Sequence, residues 1–144
     1  MRKQKLVVFF LLLAVLTGCQ GQEDARATAF KLDNDSTMNQ AASDKAKDEL
    51  LKMEEVTSVR GVEHNGNLYM DVHVKQKDRF HLQDIRQRGH DRLKTLYPDA
   101  NIHVSTDKKV YKELEDIEEK LKANQLDSQG LKKEIDKIED DMKG

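Results

Sequence analysis

Residues 56–74 read VTSVRGVEHNGNLYMDVHV, and this stretch predicts a β-hairpin. Apolar residues alternate with others through its second half, which is typical of a strand, and Asn65-Gly66 is a strong turn signal. A two-residue turn on this pair would mix the faces of the two strands. We favour a three-residue loop over 64–66 with a bulge at Arg60-Gly61, because this register keeps the apolar residues on one face.

Helices and a third strand are predicted on either side of the hairpin. Apolar residues at helical spacing predict one helix over 41–53 and another over 78–97, followed by a short strand at 102–104. The fold class is α+β: a helix-strand-strand-helix-strand module over 41–107. We expect a three-stranded sheet with two helices on one face and the other face open to solvent.

A C-terminal helical arm over 108–144 follows this domain. Its apolar residues form two stripes with the same spacing: Val110, Leu114, Ile117 and Leu121, then Leu131, Ile135, Ile138 and Met142. Asn124 and Ser128 occupy the positions between the stripes, which leaves one continuous coiled-coil helix or a helical hairpin as alternatives. We favour the hairpin because Gly130 adds a third residue unfavourable to a continuous seam. The acidic run Glu113, Glu115, Asp116, Glu118 and Glu119 is interpreted as a solvated helix face.

The N-terminus predicts export and lipid attachment. A basic tip and an apolar run from Leu6 to Leu16 form a signal peptide over 1–18, and the run is too short to span a bilayer. Leu16-Thr17-Gly18-Cys19 resembles the bacterial lipobox, which implies that Cys19 is diacylated and becomes the first mature residue. Two acyl chains suffice for stable membrane anchoring. We interpret residues 19–40, which have no apolar period, as a flexible tether.

The composition of the mature chain argues against one class of partner and excludes an internal disulfide. The signal peptide contains three of the 25 basic residues and no acidic ones, so the remainder carries 22 positive and 27 negative charges, a net charge of −5. This balance argues against a nucleic-acid partner. Cys19 is the single cysteine, so no internal disulfide can form.

Two histidines are the candidate metal ligands. His73 and His103 alternate with buried positions, which places both on the predicted open face near Tyr69 and Asp71. A weak divalent-metal or proton-sensing site is one interpretation, but no ligand spacing supports it and we favour solvated histidines. No catalytic motif is present, so the sequence predicts neither an enzyme nor a cofactor.

Basic residues concentrate around the second predicted helix: Arg79, Arg86, Arg88, Arg92 and Lys94. They suit an anionic partner such as a wall polymer or lipid headgroups. Asp84 and Asp91 lie among them, and we favour an ordinary solvated face.

The chain resembles the YhcN/YlaJ family of sporulation lipoproteins from endospore-forming bacteria. The residues that carry the resemblance are 16–19, 59–62, 68–72 and 102–107. The resemblance implies a spore-associated, membrane-anchored protein without established catalysis, and it transfers one functional residue, the lipidated Cys19.

Three functions remain open from the sequence. The favoured one is a non-enzymatic lipoprotein on the outer face of the plasma membrane, in the forespore or spore inner membrane, that supports germination or outgrowth through protein contacts. The second is a general envelope adaptor that binds a protein partner or self-associates through its arm. The third is a ligand or metal sensor that uses the histidine face.

Overall fold

The computed structural model describes residues 27–32 and 38–143, which form an α+β domain. Its sheet has four strands in the order β1-β2-β3-β4, one more than predicted. The strands are β1 (Thr28–Ala29), β2 (Val56–His64), β3 (Asn67–Val74) and β4 (Asn101–Ser105). β2 and β3 are antiparallel, while β1 pairs parallel to β2 and β4 pairs parallel to β3.

Helices cover both faces of this sheet. They are α1 (Ala41–Leu51), α2 (Leu82–Leu96), α3 (Lys108–Lys122) and α4 (Ser128–Lys143), with a 3-10 helix at Gln76–His81. α1 and α2 pack on one face, as predicted, and α3 packs on the other face with α4 against it. The arm is therefore the two-helix alternative. Its helices are antiparallel, since ion pairs join Lys109 to Asp141 and Lys120 to Glu134.

The hairpin turn differs from the prediction. His64 pairs with Asn67, so the loop has two residues, Asn65 at φ 50° and Gly66 at φ 77°. Both values lie in the left-handed region that a tight hairpin turn requires. The register shift lies between Val56 and Ser58 instead of at Arg60-Gly61. The predicted register is wrong because it requires apolar residues on one face only, whereas this sheet buries both faces.

Two apolar cores lie on opposite sides of the sheet. The core beneath α1 and α2 contains Ala46, Leu50, Met53, Val56, Val59, Leu68, Met70, Val72, Ile85 and Leu93. The core beneath the arm contains Leu32, Val62, Tyr69, Val110, Leu114, Ile117, Leu121, Leu131, Ile135 and Ile138. The prediction that one face of the sheet is open to solvent is therefore wrong, because the apolar stripes of the arm pack against that face.

Two glycines permit close packing on the side of α1 and α2. A Cβ atom at Gly61 would lie 2.6 Å from Met70 Cε and 2.9 Å from the Tyr69 carbonyl oxygen. Gly89 lies on the predicted buried stripe of α2, where a Cβ atom would meet Leu50 Cδ2 at 3.1 Å. Gly61 thus serves side-chain packing, and it does not mark a bulge.

The segment before α1 is part of the fold. β1 pairs with β2, Leu32 is 1% exposed, and Phe30 packs against the core beneath the arm. Gln40 is buried and donates through Nε2 to the Glu63 carbonyl oxygen at 2.9 Å. The prediction of a flexible tether over 19–40 is wrong for these described residues.

Candidate functional site

The two predicted histidines lie on one face of the sheet but are covered by side chains of the arm and the sheet. The His73 ring stacks on Tyr111 of α3, with ring centroids 3.5 Å apart. The His103 ring stacks on Tyr69 at 4.7 Å, and the Tyr69 hydroxyl donates to Glu139 Oε1 at 2.5 Å. They do not project from an open face, since the arm packs over the strands that carry them.

These histidines do not form a metal centre with their neighbours. Across residues 27–32 and 38–143, no group of three His, Cys, Asp or Glu side chains could hold a metal ion. His103 lines a groove of about 540 Å³ with Arg86 and Asp107, whereas His73 lines another of about 440 Å³ with Arg79 and Lys108. Burial lowers the pKa of both imidazoles, which favours their neutral forms.

Asp71 in β3 is a buried titratable group, two residues before His73 and two residues after Tyr69, the stacking partner of His103. Its side chain is fully buried, and neither carboxylate oxygen has a hydrogen-bond partner among the described residues. The Ser105 hydroxyl and the Asp107 N–H lie close enough to lower the Asp71 pKa, and the Asp107 N–H also donates to the Ser105 hydroxyl oxygen at 3.0 Å. Desolvation dominates and raises the Asp71 pKa to about 7. Asp71 can therefore bind a proton near neutral pH.

A buried ionic cluster joins α1, β2 and α3. Lys47 and Glu118 are both 0% exposed, and Lys47 Nζ lies 2.7 Å from Glu118 Oε1. Lys47 Nζ also donates to Asp44 Oδ1 at 3.0 Å. Glu118 accepts further hydrogen bonds from the Gly61 N–H and from Arg60 Nη1, each at 2.9 Å. Burial raises the Glu118 pKa, and these cationic and N–H donors act in the opposite direction.

The same cluster holds the segment that leads toward Cys19. Lys47 Nζ donates to the Phe30 carbonyl oxygen at 2.7 Å, and the Leu32 N–H donates to Asp44 Oδ2 at 2.8 Å. Lys31 Nζ donates to the Asp44 carbonyl oxygen at 2.6 Å. The N-terminal segment, the domain and the arm are therefore fastened at one point.

Sequence reasoning missed this cluster and placed Glu118 on a solvated face. Lys47 and Glu118 stand among other charged residues in helical segments, and nothing local marks them as buried. The spacing of Phe30 and Leu32 was the one local indication that the segment before α1 docks on the domain. Two residues are too few to define a period.

The basic residues of α2 are mostly engaged with the domain. Arg88 pairs with Asp84 at 2.9 Å and with Glu55 at 2.5 Å, and Arg92 pairs with Glu49 at 3.1 Å. Arg86 donates to Thr106 Oγ1 at 2.8 Å. These contacts favour the solvated, internally paired interpretation of this helix.

Cys19 and the signal peptide lie outside the described residues, so lipid attachment stays a prediction from the sequence. Within the described ranges, no helix has the length and apolar character needed to cross a bilayer.

Fold and site together define a small α+β domain in which helices cover both faces of the sheet and many charged groups pair within the molecule. The family model described as Sporulation lipoprotein YhcN/YlaJ matches residues 17–143. The chain belongs to this family, which confirms the resemblance drawn from its sequence and implies membrane anchoring through lipid. No curated protein and no solved structure matches the chain.

Proposed function

We propose that this protein is a non-enzymatic lipoprotein, anchored through diacylated Cys19 on the outer face of the forespore or spore inner membrane. There it supports germination or outgrowth by binding other proteins. The observation that carries the proposal is the family match over residues 17–143, which includes Thr17-Gly18-Cys19 as well as the folded domain.

The way the N-terminal segment docks supports a role close to the bilayer. Thr28 follows Cys19 by nine residues, and β1 is fixed to the sheet edge. An extended chain spans at most about 3.6 Å per residue, so the domain lies within about 30 Å of the lipidated residue. A partner of this domain would therefore be a membrane protein or a protein held at the same surface.

The internal role of the arm argues against the alternative of self-association through it. Its stripes already pack against each other and against Val62 and Tyr69. A second copy would have to displace that core.

A strain that lacks the gene provides the functional test. We expect its spores to germinate or grow out more slowly than the parent, and the wild-type gene to restore the parental rate. The Cys19→Ala variant should fail to restore it, because the domain would leave the membrane. The matched control is Gln20→Ala, which changes the adjacent residue and should restore the rate. Parental kinetics in the deletion strain would contradict the proposal.

A further inference from the structure

At one end of the sheet, β1 and β2 begin and β3 and β4 end; we call it the anchor end. β1 runs parallel to β2 with Thr28 beside Ser58, so the chain before Thr28 leaves where β2 begins. Val56 pairs with Val74, so β3 ends there and leads into the 3-10 helix. β4, parallel to β3, also ends at this side, and α3 starts from it.

Phe80 is exposed at the anchor end. It lies in the 3-10 helix, and its side chain is 92% exposed, the one large apolar side chain with that character among the described residues. A single exposed apolar side chain is ordinary on a protein surface. Its position at the same end of the sheet as the start of β1 is the informative feature.

Three basic residues lie in the 3-10 helix of Phe80 and at the start of α3, whereas the groove that Phe80 itself lines contains Asp84. Lys77 and Arg79 flank Phe80 in the 3-10 helix, and Lys108 at the start of α3 shares a groove with Arg79. All three are exposed, and none forms an ion pair with another described residue.

The acidic groups at this end are largely engaged. Asp107 caps α3, Glu55 pairs with Arg88, and Asp141 pairs with Lys109. Asp78, between Lys77 and Arg79, is the exception, since its buried Oδ2 has no hydrogen-bond partner among the described residues. Glu54 stays exposed, and Asp84 in the groove of Phe80 pairs with Arg88. The 3-10 helix carries Lys77 and Arg79 against Asp78, a net positive charge, although the mature chain is acidic overall.

The length of the N-terminal segment favours one orientation on the membrane. The nine residues from Cys19 to Thr28 span about 30 Å at most. β2 has nine residues and is itself about 30 Å long at 3.3 Å per residue. If the far end of the sheet faced the bilayer, this segment would have to turn back along β2 from the level of Ser58 to that of His64, about 20 Å, which would use most of its length.

We propose that the anchor end lies against the bilayer that holds Cys19, with Phe80 at the headgroup boundary and Lys77, Arg79 and Lys108 against anionic lipid headgroups. This inference rests on the lipid anchoring in the proposed function. Aromatic and basic residues are the types that contact membrane interfaces. The hairpin turn at Asn65-Gly66 and the loop between α3 and α4 then point away from the membrane and are presented to partners.

Tryptophan fluorescence tests this orientation, since the chain contains no tryptophan. The lipidated Phe80→Trp protein is reconstituted into phosphatidylglycerol vesicles that contain brominated acyl chains. We expect its emission to shift to shorter wavelength and to be quenched. The matched control is Gln125→Trp, at an exposed position in the far loop, which should keep the emission of a tryptophan in water.

Charge reversal provides a second, independent experiment. The protein used here is an unlipidated chain with Cys19→Ser and Phe80→Trp. Its partition coefficient to the same vesicles should fall about fivefold for each basic residue that is replaced at the anchor end. We expect this loss for Lys77→Glu with Arg79→Glu. Lys45→Glu with Lys133→Glu makes the same change in net charge at exposed positions elsewhere and should have a smaller effect.

Two results would overturn the orientation, and they are distinguishable. If Phe80→Trp stays on the vesicles with water-like, unquenched emission, the anchoring holds and the orientation is wrong. If the lipidated protein does not float with vesicles, the anchoring fails, and with it both proposals.

Discussion

Glu118→Ala is expected to lower the free energy of unfolding by about 3–5 kcal/mol, since it leaves buried cationic groups without their partner. Lys47 is 0% exposed and would keep only Asp44 as a charged partner, and Arg60 would lose one of its two carboxylates. The Gly61 N–H would lose its acceptor as well. Urea unfolding of the mature chain with Cys19→Ser measures the change without lipid.

Glu119→Ala is the matched control, because Glu119 is the exposed neighbour in the same helix. Surface substitutions of this kind change stability by at most about 0.5 kcal/mol. Glu118→Gln separates charge from volume: it keeps the shape of the side chain and should still be clearly destabilising. Equal stability of the Glu118 and Glu119 variants would show that the cluster does not fasten the arm to the domain.

Asp71→Asn is expected to remove much of the pH dependence of stability between pH 5 and pH 8. The Asp71 pKa rises from 3.8 to about 7 on folding, so in this range the folded state binds more protons than the unfolded state. The contribution of Asp71 to stability is therefore greatest at low pH, falls as the pH rises toward about 7 and levels off above it. The expected loss from this group is about 2–3 kcal/mol between pH 5 and pH 8.

The difference between wild type and variant isolates Asp71 from other titrations. The lowered pKa values of His73 and His103 act in the opposite sense, because the contribution of these groups to the stability of the fold is lost as the pH falls. Asp140→Asn is the control at an exposed carboxylate. If Asp71→Asn and wild type have parallel pH profiles, the carboxyl is hydrated in solution and its pKa is not raised.

The sequence predicted the elements whose residues have a clear local period. The alternation in β3 and the apolar stripe around Gly89 are set by which neighbours each strand or helix must contact, so they can be interpreted locally. The two stripes of the arm likewise predicted two helices once Gly130 was considered. Family membership was also accessible, since the lipobox and the hairpin pattern occur together.

The second buried face could not be predicted in the same way. Tyr69, Asp71 and His73 alternate with apolar residues and look like a solvated face, and only the packing of a distant arm makes them a buried one. β1 has two residues and no period to detect. The residues that follow it, Phe30 and Leu32, form hydrogen bonds with Lys47 and Asp44 of the distant α1.

The ionic cluster was missed for a related physical reason. A lysine and a glutamate within charged helices are normally solvated, because burying an unpaired charge is costly. Lys47 and Glu118 are buried because three elements bring them within 2.7 Å of each other. The two residues are far apart in the sequence, so a local pattern cannot predict their contact. Asp71 was placed correctly beside His73, but its burial and raised pKa depend on the same covering by the arm.

Fractionation of sporulating cells and dormant spores, followed by an immunoblot, tests lipid anchoring in the spore most directly. The account predicts that wild-type protein is found in the spore inner-membrane fraction and that Cys19→Ala is lost from it. Gln20→Ala should fractionate as the wild type does. Equal abundance of the protein in growing cells, or retention of Cys19→Ala in the membrane fraction, would contradict the account.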